Sequence, residues 1–328
     1  MHTIYPLRFR PIFKDKVWGG TRLKELLGKD FDPLPNCGES WELSGVDGSI
    51  SIAAGGFLQD NNLKELIEVY MEDLVGEKVF ARHGTQFPLL IKFLDTTEPL
   101  SVQVHPDDTL ARARHGSLGK TEMWVVLHAE PGTEIITGFQ QGVGREDYLG
   151  HLEKGRLRDI LHVEKAMVGD VYFIPAGRIH AIGAGITLCE IQQSSDVTYR
   201  VYDWDRPGLD GRLRALHTEQ ALDAIDFSPV EAYKTPYSIV PNGSVNLVSC
   251  PYFTTNLLVF DQRIESDYYF LDSFVVYICL EGQCVLQYPG GKMVIRAGDT
   301  CLLPAEIKQM AFIPEAGRCR LLEVYTAL

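Results

Sequence analysis

Residues 169–183 read GDVYFIPAGRIHAIG, and this stretch decides the fold. It begins with a Gly-Asp pair, continues through apolar and aromatic residues, and stops at Pro175. Short β-branched and aromatic runs between Gly, Pro and Asp residues are typical of strands. The spacing after Gly169 is five residues, Pro175, one residue, Gly177, two residues and then His180. The stretch therefore predicts a strand and a tight turn that ends on a histidine.

The same pattern occurs a second time further along the chain. EMWVVLHAEPG (122–132) followed by GDVYFIPAG resembles SFVVYICLEGQ (273–283) followed by GDTCLLPAE (298–306). Two matches in the same order indicate an internal duplication. The boundary lies near residues 232–245, where apolar periodicity is lost and turn-forming residues collect. We expect a metal-binding domain over residues 1–235 and a degenerate copy of it over residues 236–328.

Strand-like runs also dominate the rest of the sequence. Two helical patterns interrupt them: residues 61–76, with Asn62 and Glu65 spaced as a capping box, and the more highly charged residues 145–167. The runs that predict strands are PLLIKFLD, LSVQV, EMWVVLHA, EIITGF, DVYFIPA, TLCEIQQ, VTYRVYDW, NLLVFDQ, FVVYICL, CVLQY and TCLLPA. The sequence therefore predicts a mainly β protein with helical insertions.

Composition narrows the class of partner. The chain has 328 residues, 45% apolar and 23% charged, with a formal net charge of −13, which argues against binding to nucleic acid. No apolar run is long enough to span a membrane, and the first residues do not resemble a signal peptide. Seven cysteines, an odd number without a CxxC pair, favour reduced thiols in a cytoplasmic protein.

A polar row lies within the strand SVQVHPDD (101–108). Side chains alternate along a strand, so Ser101, Gln103 and His105 share one face. Lys120 and Glu122 share a face of a later strand in the same way. With His180, this pattern provides two imidazoles and one carboxylate, which leave a coordination position open on a divalent metal. Gln103 could add an oxygen, and zinc, iron and manganese all accept such ligands.

The second copy lacks the two histidines. Aligning GDTCLLPAE with GDVYFIPAG places Gln309 opposite His180, and no histidine follows His217. We therefore expect the C-terminal domain to keep the fold without the metal.

The spacing around His180 resembles the second motif of the cupin superfamily, whose jelly-roll barrels hold a divalent metal, and the Gln-x-His pair resembles an altered first motif. A more specific family resemblance comes from an ordered series of motifs: VWGGTRL, GESWELSG, PLLIKFLDTTEPLSVQVHPDD, GKTEMWVVLHAEPG and DVYFIPAGRIHAIGAGITLCEIQQSSDVTYRVYDW. This series resembles the short form of the type I mannose-6-phosphate isomerases (phosphomannose isomerases) from about residue 10 to 235. The duplication, with these motifs, predicts two cupin-type barrels. The family resemblance implies a zinc enzyme that interconverts mannose 6-phosphate and fructose 6-phosphate.

The resemblance also implies roles for individual residues. His105, Glu122 and His180 would hold one zinc ion per chain, with Gln103 as a further ligand. Arg200 matches a position that the family assigns to the active site. Ser101 and Lys120 match residues that line the substrate pocket, with Gln103 beside them. A sugar phosphate would be the partner, and the chain would be a monomer or a homodimer.

Aldose–ketose isomerisation moves a proton between C2 and C1 through an enediol. The Arg200 guanidinium is a poor base, so its expected role is to stabilise negative charge or contact sugar oxygens. Lys120 is a candidate proton carrier because it shares a strand face with Glu122. A metal-bound water and three carboxylates, Glu190, Asp196 and Asp203, are the other candidates. Arg178 and Arg206 are candidate phosphate contacts, since arginine suits phosphate geometry.

The sequence leaves three other functions open. An iron- or manganese-dependent cupin oxygenase would use the same ligands and consume oxygen. A different sugar-phosphate isomerase would share most of the chemistry. A non-catalytic sugar-phosphate sensor is less favoured, because all three expected ligands and Arg200 are present.

Overall fold

The structure is a computed structural model that describes residues 4–326. Within this range the strands outnumber the helices, and every pair of named strands is antiparallel. The strands are β1 (Leu7–Phe9), β2 (Ile12–Lys14), β3 (Glu39–Ser44), β4 (Ala53–Ala54), β5 (Leu89–Thr96), β6 (Val102–Val104), β7 (Glu122–Ala129), β8 (Glu134–Phe139), β9 (Leu161–Lys165), β10 (Val171–Ile174), β11 (His180–Ile182), β12 (Ile186–Gln193), β13 (Tyr199–Tyr202), β14 (Gly243–Ser249), β15 (Thr254–Phe260), β16 (Ile264–Asp267), β17 (Val275–Glu281), β18 (Gln283–Tyr288), β19 (Gly291–Arg296), β20 (Thr300–Leu303), β21 (Gln309–Pro314) and β22 (Cys319–Tyr325). The helices are α1 (Arg22–Leu27), α2 (Leu63–Val75), α3 (Glu77–His83), α4 (Asp108–His115), α5 (Arg145–Glu153) and α6 (Thr218–Ala224), with a 3₁₀ turn over Leu157–Ile160. The mainly β fold with helical insertions is confirmed.

Four sheets organise these strands. A six-stranded sheet in the order β10-β7-β12-β5-β3-β2 and a five-stranded sheet in the order β13-β6-β11-β8-β9 come from the N-terminal part. A seven-stranded sheet, β14-β15-β22-β17-β20-β1-β4, and a four-stranded sheet, β16-β21-β18-β19, contain the C-terminal strands. Strand β1 pairs with β20, so the first described strand extends the C-terminal sheet. The boundary near residues 232–245 and the two-barrel division stay predictions.

The helix predicted over residues 61–76 is confirmed as α2. Asn62 accepts a hydrogen bond from the Glu65 amide and the Glu65 carboxylate accepts one from the Asn62 amide, which forms the expected capping box. The prediction over residues 145–167 is wrong in its second half. Helix α5 ends at Glu153, and residues 161–165 form β9, which pairs with β8. Pairing with β8 outweighed a charged, weakly periodic helical pattern there.

Strand register places polar side chains in two rows. In the five-stranded sheet, Gln103 pairs with His180 on one side and with Arg200 on the other. Directly paired residues in adjacent strands point to the same face, so these three side chains form one row. In the six-stranded sheet, Glu190 pairs with Trp124 and with Lys92, and Lys92 pairs with Trp41. The fold thus brings a polar row from each N-terminal sheet to a common site, described below.

Within residues 4–326, no helix has the length and hydropathy that a membrane crossing requires.

Candidate metal centre and cleft

Three side chains from separate strands converge at the ends of these rows. His105 directly follows β6, Glu122 is the first residue of β7, and His180 is the first residue of β11. One ligand atom from each of the three lies within 4.8 Å of the others. The Glu122 carboxylate is 3.5 Å from His105 Nε2 and 3.4 Å from His180 Nε2. This separation allows one ion to contact all three groups.

Backbone carbonyls orient both imidazoles toward the carboxylate. His105 Nδ1 lies 3.0 Å from the Val197 carbonyl oxygen, and His180 Nδ1 lies 2.8 Å from that of Arg178. A neutral ring that donates from Nδ1 carries its lone pair on Nε2, the nitrogen that faces Glu122. Such outer hydrogen bonds are the usual way that proteins fix a metal-binding histidine.

The protonation of the three groups suits a metal. Burial lowers the pKa of His105 well below its usual value, and the Lys120 ammonium lowers it further. Burial also lowers the pKa of His180 to about 3, so both rings are neutral at neutral pH. Burial raises the pKa of Glu122 to about 7, against the opposing effect of Lys120. The raised pKa of Glu122 means that the Lys120 ammonium alone does not offset the cost of burying the carboxylate charge. Two neutral imidazoles and this carboxylate form a donor set for a divalent cation.

An orphaned atom supports the same conclusion. Glu122 Oε1 is buried and has no hydrogen-bond partner among the described residues. A buried carboxylate oxygen without a partner is costly, and a cation among the three side chains would satisfy it. The residues present therefore fit a bound metal ion.

Two further predicted residues border the centre. Gln103 Nε2 lies 3.3 Å from His180 Nε2, so its amide reaches the edge of the metal centre. Lys120 Nζ lies 3.1 Å from His105 Nε2 and also donates to the Glu122 carboxylate. The side chains of Ser101, Gln103 and Lys120 line one cleft of about 310 Å³. The row beginning at Ser101 thus faces this cleft and the three candidate ligands.

The cleft is cationic, although the chain as a whole is acidic. Its other lining residues include tryptophans from β3 and from the segment before α1, and charged groups from both N-terminal sheets. Six cationic side chains line the cleft, against three carboxylates: Lys14, Lys16, Lys92, Lys120, Arg200 and Arg214, against Glu39, Glu190 and Asp196. An excess of cations in one cleft suits an anionic ligand.

Lys92 and Glu190 form the buried floor of the cleft. Lys92 Nζ is 3.1 Å from Glu190 Oε1, and Lys120 Nζ is 4.0 Å from the same oxygen. Trp124 Nε1 donates to Glu190 Oε2 over 3.0 Å. Burial raises the pKa of Glu190, but Lys92 and Lys120 outweigh it, so the net shift is downward and the carboxylate is ionised.

Lys92 was not among the sequence candidates. A lysine in the middle of the apolar strand LLIKFL was the available signal, because a buried ammonium needs partners.

Glu39 is held by several groups at the side of the cleft. Burial raises the pKa of Glu39, but Lys92 and Lys16 outweigh it and lower the pKa to about 2. Trp41 Nε1 also donates to Glu39. Lys14 Nζ lies 3.4 Å from the centroid of a Trp41 ring, a cation–π contact. These contacts leave Glu39 as a fixed charge that organises neighbouring lysines.

Arg200 lies in the cleft without a carboxylate partner in the described part of the chain. Its Nη1 donates to the Ala215 carbonyl over 2.9 Å, whereas its Nε is buried and has no partner in residues 4–326. Burial lowers the pKa of Arg200, and nearby Arg214 contributes to this shift. Two neighbouring guanidinium groups at a cleft favour an anion between or beside them.

The structure does not bring two other predicted arginines to the cleft. Arg178 donates from Nη1 to the Phe173 carbonyl over 2.8 Å and lines a different cavity. Arg206 pairs with Asp203 at 3.2 Å, and Asp203 also pairs with Arg214. Of the remaining proton-carrier candidates, Asp203 is therefore neutralised by two arginines, and Asp196 is exposed to solvent at the cleft.

Comparisons with known proteins identify relatives that cover most of the chain. The family model described as phosphomannose isomerase type I, catalytic domain, matches residues 7–121. A mannose-6-phosphate isomerase of Streptococcus mutans is 36% identical over 310 residues, covering 94% of this chain and 95% of the relative. Mannose-6-phosphate isomerase ManA of Bacillus subtilis is 36% identical over 255 residues, covering 77% of this chain and 78% of the relative.

Solved structures show the same fold. The mannose 6-phosphate isomerase of Bacillus subtilis superposes with a TM-score of 0.88 and 32% identity, covering 98% of this chain and 99% of that chain. A putative mannosephosphate isomerase of Archaeoglobus fulgidus superposes with a TM-score of 0.79 and 20% identity, covering 99% of both chains.

Proposed function

We infer the chemistry of the cleft from one premise: the chain belongs to the type I phosphomannose isomerase family and is a mannose-6-phosphate isomerase. We propose that it interconverts mannose 6-phosphate and fructose 6-phosphate through an enediol, with one zinc ion per chain. The observation that carries this proposal is the His105–Glu122–His180 cluster at a cleft with an excess of cations.

His105, Glu122 and His180 are the proposed metal ligands, and the Gln103 amide is the proposed fourth protein group. The donor set contains nitrogen and oxygen atoms without sulfur, and isomerisation needs no redox change; both features suit zinc. When bound, zinc would act as a Lewis acid that stabilises negative charge on the substrate oxygens.

Glu190 is the proposed proton carrier between C2 and C1. It is the cleft carboxylate that combines burial with an ionised state, whereas Glu39 is too weak a base and Asp196 is solvated. A buried carboxylate next to the substrate can accept a carbon-bound proton and return it to the neighbouring carbon. Lys92 and Lys120, on the same Glu190 oxygen, hold this carboxylate in place.

Arg200 and Lys120 are the proposed stabilisers of the enediolate. Lys120 lies at the metal centre, and Arg200 lies next to Gln103 in the same cross-strand row. Positive groups aimed at developing charge, within a partly buried cleft, lower the barrier more than they would in water.

The more exposed cations of the cleft are the proposed phosphate contacts. Lys16 and Arg214 keep 31% and 25% of their side-chain surface exposed, against 7% for Lys92 and 5% for Lys120. A phosphate is strongly hydrated, so the mouth of the cleft is the favourable place for it. Ser101 would then contact a sugar hydroxyl in the interior of the cleft. Arg178 would not contact the substrate in this arrangement.

The decisive experiment incubates the zinc-loaded chain with mannose 6-phosphate and measures fructose 6-phosphate directly. Turnover without oxygen consumption supports the proposal and excludes the oxygenase. Turnover of a different sugar phosphate alone would replace the substrate, and binding without turnover would favour a sensor. We also propose a cytoplasmic location, in keeping with seven free cysteines, and a monomeric or homodimeric state.

A further inference from the structure

A second cavity is lined in part by Pro175 and Arg178, from the segment that leads to His180, and it plays no part in the proposed reaction. We call it the back cavity; it is lined by residues 138–143, His162, Glu164, Pro175, Arg178 and residues 226–233, and its volume is about 390 Å³. That volume falls within the range of small-molecule sites. Among residues 4–326, the back cavity and the cleft share no lining residue.

Arg178 supplies the one guanidinium group in the lining of the back cavity, and it forms no ion pair with the described residues. One guanidinium nitrogen, Nη1, donates to the Phe173 carbonyl, and the guanidinium carbon lies 5.5 Å from the centroid of the Tyr233 ring. No carboxylate of the described residues lies within ion-pair distance of it. The guanidinium fork therefore has donors left for an anion from solution.

Each carboxylate of the back cavity has another partner or faces solvent. Glu164 contacts His162 Nε2 at 2.9 Å, and Asp226 accepts a hydrogen bond from the Ser228 amide over 2.8 Å. Glu231 is exposed. Three carboxylates beside one arginine disfavour a polyanion but offer acceptors to hydroxyl groups. The lining thus suits a compound with one anionic end and several hydroxyls.

One turn separates the back cavity from the metal centre. The Gly177 amide donates to the His105 carbonyl over 2.9 Å, and the Arg178 carbonyl accepts from His180 Nδ1. The Ala176 amide donates to Thr121 Oγ1 over 3.2 Å, next to Glu122. The backbone of residues 176–178 therefore contacts His105, His180 and the residue that precedes Glu122, while the Arg178 side chain lines the back cavity.

We propose that the back cavity is a second binding site, specific for a small polyhydroxylated compound with one phosphate or carboxylate, which Arg178 binds. The site is distinct from the cleft in which isomerisation takes place. Its ligand does not need a carbonyl group, because no candidate catalytic residue lines the back cavity.

Fluorine NMR can observe the two sites separately. Tyr233 lines the back cavity, whereas the cleft has tryptophans, including Trp41, and no tyrosine in its lining. The zinc-loaded chain of 328 residues would be labelled with 3-fluorotyrosine or with 5-fluorotryptophan. The Tyr233→Phe and Trp41→Phe variants assign the two resonances.

Three probes with the same six-carbon skeleton test the chemistry: sorbitol 6-phosphate, gluconate and uncharged sorbitol. We expect at least one of the two anions to shift the Tyr233 resonance saturably, and sorbitol to leave it in place. The anion that binds the back cavity more tightly shows whether phosphate or carboxylate is the recognised group. Arg178→Met should weaken this binding at least tenfold, while Arg178→Lys, which keeps the charge, should weaken it less.

Ser228→Phe places a large side chain at an exposed position in the lining of the back cavity and retains Arg178. It should also weaken binding at the back cavity, because it fills part of the space that the ligand needs. If Arg178→Met does not fold, Arg178→Lys and Ser228→Phe still test the site. In every folded variant the Trp41 titration with sorbitol 6-phosphate should stay within twofold of the parent chain.

A Tyr233 resonance that neither anion moves, or an Arg178→Met variant with the parent affinity, overturns the proposed second site. Failure of the proposed enzyme function would look different. It would leave the Trp41 resonance unmoved by sorbitol 6-phosphate and mannose 6-phosphate unconverted, whatever happens at Tyr233.

Discussion

Replacing Glu190 with glutamine tests the proposed proton carrier. The substitution keeps the shape and one acceptor for Trp124 Nε1 while it removes the negative charge beside Lys92 and Lys120. A glutamine side chain cannot take up the C2 proton. General base catalysis typically contributes about 10²- to 10⁴-fold, so we expect kcat to fall by that factor with little change in KM.

Glu190→Gln should also lower the free energy of unfolding, and the contacts of Lys92 and Lys120 limit the size of that loss. Removing one partner of a buried ion pair costs roughly 3–5 kcal/mol, because the other charge stays buried. Lys92 retains Glu39 at 4.0 Å and Lys120 retains Glu122, so the lower end, about 3 kcal/mol, is expected. Zinc content should not change, since Glu190 is outside the proposed ligand set.

The assay follows conversion of mannose 6-phosphate and, separately, exchange of the C2 proton with deuterium from solvent. Asp196→Asn is the matched control, because Asp196 lines the same cleft but is exposed to solvent; its kcat should stay within about threefold. A folded, zinc-loaded Glu190→Gln variant with more than a tenth of the parent kcat would refute the assignment of the proton carrier.

Four further predictions follow from the cleft. His180→Ala should lose metal and activity together, and full zinc occupancy in that variant would contradict its role as a ligand. Arg200→Ala should keep zinc but lose most of kcat; a change in KM alone would make Arg200 a binding residue. Arg214→Gln should raise KM for mannose 6-phosphate several-fold with kcat nearly unchanged, and an unaltered KM would remove Arg214 from the phosphate site. The lowered pKa of Glu39, about 2 against an ordinary 4.5, stabilises the fold above pH 4.5, and this contribution is lost as pH falls toward 2. The full contribution of Glu39 to the free energy of unfolding is about 3 kcal/mol, and about 2 kcal/mol of it is lost between pH 5 and pH 3. Urea unfolding of the metal-free chain should show that loss, and Glu39→Gln should lose correspondingly less over the same range.

The sequence predicted the members of the His105–Glu122–His180 cluster in part from local patterns. The Gly169–Pro175–Gly177–His180 spacing places a histidine after a turn, and the alternation of Ser101, Gln103 and His105 places three side chains on one face. These patterns do not depend on which strands become neighbours. The structure brings His105, Glu122 and His180 together as the prediction required.

Features that depend on sheet register could not be predicted in this way. The Lys92–Glu190 pair arises because β5 and β12 are neighbours in one register, which neither strand specifies alone. Arg178 is two residues from His180 in sequence, yet its side chain lines a different cavity from the one that His180 borders. The early strands β1 to β4 are missing from the strand prediction; β1, β2 and β4 have only two or three residues each, too few to show a period of two.

The identity of the atoms around the metal is the most direct test of the account. An X-ray absorption spectrum of the chain loaded with one equivalent of zinc should show only nitrogen and oxygen neighbours at roughly 2.0–2.2 Å, with the outer scattering of two imidazoles. Zinc–sulfur distances of about 2.3 Å would place the ion at cysteines, away from His105, Glu122 and His180, and would contradict the proposed centre.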